Sequence, residues 1–117
     1  MQGFGTYVRV QRERLSKDSK DFSVRKVAMK IGVEPAFLSK VEREVVPPPS
    51  EGKIIALSEV LGEDQDVLLA MAGKVSSDLL KVIRDRPVLF AELIRKLKTE
   101  PDYAVLRIVR EVKDGEW

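Results

Sequence analysis

Apolar residues recur three and four positions apart along most of this chain, the spacing of helices with one buried face. No apolar–polar alternation persists as a half-buried strand would require. In residues 4–15, Phe4, Val8 and Leu15 fall near one face and Arg9, Arg12 and Arg14 lie elsewhere, which predicts a first amphipathic helix. The stretch SKDSKD at 16–21 is polar and aperiodic and reads as a loop. Ser23 suits the cap of a second helix, because its hydroxyl can accept from free N–H groups of the first turn. Val24, Val27, Ala28 and Ile31 give that helix its apolar face, and Gly32 stops it. Pro35 fits the first turn of a third helix, where a missing N–H costs nothing.

The prolines of VVPPPS at 45–50 remove donors and fix φ, so this segment is a connector. Ser50 reads as the cap of a fourth helix through Leu61, with Ile54, Ile55, Leu57, Ser58 and Leu61 along it. Asp64 opens a short fifth helix that Gly73 ends. Further on, Ser76 or Ser77 caps DLLKVIRD, and Pro87 and Pro101 start two more helices. The pattern predicts an all-α chain.

The stretch VAMKIGVEPAFLSKVERE, residues 27–44, sets a small residue and then a glycine four positions on between two short amphipathic segments. Two helices that cross through a turn of three or four residues bring their backbones close and need a positive φ at the corner, which glycine adopts without steric cost. Ala28 supplies the small residue and Gly32 the corner, with Val27, Ile31, Val33, Leu38 and Val41 directed inward. This is the pattern of a helix-turn-helix, whose second helix enters the DNA major groove.

With the downstream segments PPPSEGKIIALSEVLG and DQDVLLAMAGK, the stretch resembles the lambda-repressor-like helix-turn-helix family, in particular the XRE-type bacterial and phage regulators. The resemblance covers residues 4–75 and implies a five-helix DNA-binding domain, with the motif at helices two and three. It divides the chain into a DNA-binding domain, 1–75, and a helical extension, 76–117. Several positions depart from the family. Val24 stands where a glutamine often opens the second helix, Glu34 where a serine or threonine usually precedes the third, and Glu44 where a glycine commonly follows Glu-Arg. The first loop is also longer than usual.

On this reading residues 34–43 hold the recognition helix. With Leu38 and Val41 inward, the candidate base-reading residues are Glu34, Pro35, Ala36, Ser39 and Lys40. Lys40 can donate to guanine, Glu34 can accept from cytosine N4, and Ala36 can touch a thymine methyl. Candidates for the DNA backbone are Ser23, Arg25 and Lys26 at the start of the second helix, Arg43 at the end of the third, and Phe37, which can pack on sugar. Arg9, Arg12 and Arg14 can flank the groove, and Glu42 is placed to pair with an arginine in a buried salt bridge.

Charge sharpens this picture. The net charge of +2 over 117 residues hides a first segment, 1–46, with ten cations against six anions, followed by an acidic segment, 47–75, with two against five. A basic face is what a polyanion-binding surface needs. Cysteine and histidine are both absent, which excludes disulfides, thiolate chemistry and Ser–His or Cys–His catalysis and leaves little for a zinc site. Asp18 with Asp21 and Asp64 with Asp66 are paired carboxylates in polar loops, where turn and capping roles account for them. No catalytic residue, cofactor or metal is expected.

The start of the chain lacks an apolar signal core, and no apolar run is long enough for a membrane span, so a cytoplasmic protein is expected. The extension carries stripes at Leu79, Leu80 and Ile83, from Val88 to Leu97, and from Val105 to Val112, more than one small domain can cover. The expectation is a transcriptional regulator, in the role of a repressor, that binds double-stranded DNA at a palindromic operator as a homodimer through 76–117. The alternative is an antitoxin-type module that covers a protein partner and autoregulates through the same motif.

Overall fold

Among the described residues, eight α-helices account for most of the chain: α1 Phe4–Ser16, α2 Val24–Ile31, α3 Pro35–Glu42, α4 Glu51–Leu61, α5 Gln65–Met71, α6 Ser77–Asp85, α7 Pro87–Leu97 and α8 Asp102–Asp114. The structure is a computed structural model that describes residues 2–114. Met1 and residues 115–117, the end of the expected extension, lie outside the described residues. Among the described residues there is no strand, and no helix is long and apolar enough to cross a membrane. The chain divides between Ser76 and Ser77 into two compact units.

In the first unit, five helices converge on one core. Phe4 and Val8 of α1, Val27, Ala28 and Ile31 of α2, and Leu38 and Val41 of α3 are buried with Ile54, Leu57 and Leu61 of α4 and Leu68 and Leu69 of α5. These are the positions that helical periodicity turns to one side of each segment. α4 packs on α5 and α2, while α3 packs on α1 and α2. Asp64 caps α5 through Oδ1, which accepts from the N–H groups of Asp66 at 2.8 Å and Val67 at 3.2 Å. Between α3 and α4 the proline segment returns the chain to the core. Pro49 is buried there, and its carbonyl accepts from Lys74 Nζ at 3.0 Å.

Two local expectations need correction. Within the segment read as a loop, Lys20–Phe22 forms a turn of 3-10 helix, started by Ser19 Oγ, which accepts from Asp21 N at 3.2 Å. That turn brings Phe22, half-buried, against the core. Ser50 stands at the N-cap of α4 with extended backbone, but its side chain makes no capping hydrogen bond.

α1 is fixed against the end of α3 at two points. The first is Gly5, where a Cβ would lie 2.0 Å from the Val41 carbonyl oxygen and 3.0 Å from that of Glu42, so only glycine fits. The second is Arg12. Its guanidinium grips the Glu42 carboxylate with Nε–Oε2 at 2.7 Å and Nη2–Oε1 at 2.9 Å, and Nη1 donates to the Phe22 carbonyl at 3.1 Å. This two-pronged pairing satisfies both buried charges. The hydrogen bond to Glu42 raises the Arg12 pKa further above its ordinary value, against the opposing effect of burial. The arginine expected for Glu42 is therefore Arg12. It is buried, so it does not flank an outer face as the sequence suggested; Arg9 and Arg14 remain exposed.

The second unit differs in kind. α6 and α7 contact each other, and among the described residues from Ser77 onward no side chain is fully buried.

Candidate nucleic-acid interface

The corner between α2 and α3 is built from backbone hydrogen bonds that only a left-handed residue permits. Gly32 has φ 77° and ψ 38°. Its N–H donates to Met29 O at 3.2 Å, and the next N–H, of Val33, reaches back to Ala28 O at 2.9 Å. This paired pattern closes the last turn of α2 and turns the chain within residues 32–34. Ala28 is fully buried, as the small residue beneath the crossing had to be. Lys53 Nζ, from α4, donates to the Gly32 carbonyl at 3.2 Å and fixes the corner from behind.

α3 then starts at Pro35, preceded by Glu34 in extended conformation, whose carboxylate makes no cap hydrogen bond. With Leu38, Val41 and Glu42 buried, helical spacing leaves Ala36, Ser39, Lys40 and Arg43 along one outward strip. Lys40 and Arg43 are exposed, Ser39 is half-buried, and Glu34, Pro35 and Ala36 are exposed at the leading end. Phe37 lies at the edge of the helix, half-buried against the core, with only its outer side available to a ligand.

α2 contributes the adjoining cations. Ser23 caps it, with Oγ accepting from Lys26 N at 3.2 Å, and Arg25 and Lys26 project from its first turn. Lys26 Nζ lies 3.6 Å from Asp21 Oδ1, with both side chains about half exposed, a pairing worth about 0–1 kcal/mol. Lys30 sits over the Phe22 ring, 5.3 Å from its centroid. Arg25, Lys40 and Arg43 have no ion-pair partner among the described residues.

An open cleft of about 480 Å³ joins the two helices, lined by Arg25, Met29, Val33, Glu34 and Pro35. It brings together one backbone candidate, Arg25, and two base-reading candidates, Glu34 and Pro35. Met29, 70% exposed and lining this cleft, was not singled out from sequence. Its signal was available: it follows Arg25 by one helical turn and lies off the apolar face of α2.

α3 ends at a second left-handed residue, Glu44, with φ 60°. The N–H of Glu44 donates to Val41 O and that of Val45 to Lys40 O, both at 3.0 Å, the same closure that Gly32 gives α2. The Glu44 carboxylate lies beside Gly3, the residue that precedes α1, and Oε2 accepts from Thr6 Oγ1 at 3.0 Å. α1 has no acidic residue in its first turn and no side-chain cap of its own, so Glu44 supplies the negative charge that its N-terminus favours.

Chemically, the surface offers exposed ammonium and guanidinium donors around a short helix seated on the core, whose leading end carries one acceptor-only carboxylate. Among the described residues no group of His, Cys, Asp and Glu is placed to hold a metal ion. No protein-family model matches the chain, and neither a curated protein nor a solved structure shows significant similarity to it.

Proposed function

We propose that the first unit is a helix-turn-helix DNA-binding domain of the lambda-repressor-like, XRE type, and that the chain is a transcriptional regulator acting on cytoplasmic DNA as a repressor. α3 is the recognition helix. Glu34, Pro35, Ala36, Ser39 and Lys40 face base edges. Ser23, Arg25, Lys26 and Arg43, with Phe37 at the sugar edge, hold the backbone. The observation that carries this reading is the outward strip of α3: it emerges from a glycine corner, bears Lys40 and Arg43 without ion-pair partners, and lies next to the capped, cationic start of α2. Two copies present two such helices to half-sites one helical turn apart, about 34 Å, which gives the operator its palindromic form.

Selection of bound sequences from a random duplex library is the direct test. It should return one enriched palindrome, whose affinity falls steeply with salt as backbone contacts release counterions. Lys40→Ala should cost about 1–3 kcal/mol on the selected site and flatten sequence preference, whereas Lys26→Ala should weaken all duplexes alike. A library that returns no enriched sequence refutes the reading.

A further inference from the structure

The cleft between α2 and the leading end of α3 holds a carboxylate and an apolar wall side by side. Glu34, at the N-cap of α3, makes no cap hydrogen bond and has no ion-pair partner among the described residues, so its carboxylate can accept from a ligand. Met29, Val33 and Pro35 line the same cleft, together with Arg25. Met29 adds nothing to the core, because it lies off the face that Val27, Ala28 and Ile31 bury. Its flexible, polarisable thioether adapts to the shape of a small apolar partner.

We propose that this cleft reads 5-methylcytosine in duplex DNA, with Glu34 accepting from the exocyclic N4–H and Met29 covering the C5 methyl. The inference rests on the DNA-binding reading. The base follows by elimination. An ionised carboxylate has acceptors and no donor, so it repels thymine and guanine, which turn carbonyl oxygens to the major groove. Adenine offers an N6–H donor, but an N7 acceptor lies beside it and no methyl does. Cytosine offers the N4–H donor with C5 next to it on the ring. A methyl at C5 therefore meets whatever flanks the carboxylate, here the apolar groups of Met29, Val33 and Pro35. Methylation on an exocyclic nitrogen does not serve, because the one N–H left there is spent in the base pair. Arg25, on the same cleft, takes the backbone and offsets the repulsion between Glu34 and the phosphates. Met29 is thus a specificity residue supplied by α2, the helix that otherwise holds only the backbone.

The test uses the full-length chain and two random duplex libraries, one made with cytosine and one with 5-methylcytosine at every cytosine. The selected site is then rebuilt with cytosine, 5-methylcytosine or thymine at each cytosine position in turn. At one cytosine of each half-site the methyl should tighten binding about fourfold, the effect of taking one such group out of water. Thymine there should bind at least about fivefold more weakly than cytosine. Met29→Ala should bring the methylated and unmethylated affinities together, and Met29→Leu should keep them apart. Glu34→Gln, whose amide donates as well as accepts, should shrink the penalty for thymine. The inference is overturned if an operator is enriched but methylation is neutral or weakening at each of its cytosines, or if Met29→Ala keeps the full preference for the methyl. In both cases the enriched operator leaves the DNA-binding reading standing. Two libraries that return no enriched sequence refute the reading and the inference together.

Discussion

Leu57 and Leu89 both sit on helices of eleven residues, yet Leu57 on α4 is fully buried and Leu89 on α7 is 63% exposed. The difference lies outside the helices. α4 runs between α2 and α5, and each supplies an apolar face that α4 completes. α7 has α6 beside it within a unit that buries no described side chain fully. An amphipathic stripe thus states that a surface must be covered, and only the number of surrounding elements decides whether one chain can cover it.

The most severe test of this contrast is charge removal inside the first unit. Glu42→Ala leaves the Arg12 guanidinium buried without its carboxylate and should lower first-unit stability by about 3–5 kcal/mol in thermal or urea unfolding. Next comes the matched pair of truncations. Leu57→Ala should cost about 2–5 kcal/mol, whereas Leu89→Ala in dilute, monomeric protein should change unfolding by less than about 0.5 kcal/mol. Equal costs at the two sites would break the comparison.

A smaller effect separates backbone from side chain at Glu44. Glu44→Ala loses the bond to Thr6 and keeps the left-handed strain, while Glu44→Gly loses the same bond and relieves it, so the glycine variant should be the more stable by about 1 kcal/mol. The smallest concerns Tyr7, whose hydroxyl donates to Glu63 Oε2 at 3.0 Å. That bond, with burial adding to it, pushes the phenol up from its ordinary 10.0. A raised value means stability that is fully present below about pH 10 and lost as pH rises through the folded-state value. Tyr7→Phe should therefore unfold less steeply with alkali than the parent, as followed by circular dichroism from neutral pH upward.

Much of the first unit was legible because its signals are local. Ser23, Gly32, Asp64 and Gly73 act on the backbone within a few residues of themselves, and each ends or starts a helix where the sequence placed it. Helical spacing likewise named Val27, Ile31, Leu38 and Val41 as inward, and all four are buried. What escaped was non-local or set against propensity. Arg12 looked like one more surface cation because its partner, Glu42, lies thirty residues away. Phe22 was hidden in a polar run that a 3-10 turn folds inward. Glu44 takes a left-handed conformation that favours glycine, and nothing local signals that its carboxylate serves the start of α1. At the candidate interface, the outward strip of α3 followed from periodicity, while the placing of Met29 beside Glu34 required the corner itself.

Gly5 and Arg12 lie seven residues apart, two turns along one side of α1, and both engage the closing turn of α3. Such paired pins forbid sliding and rotation alike. One residue inserted between them would swing the guanidinium by roughly 100° and strand the carboxylate it serves. α1 and α3 therefore travel as a single strut, and whatever meets the outer side of α3 encounters a shape settled beforehand rather than one moulded on arrival.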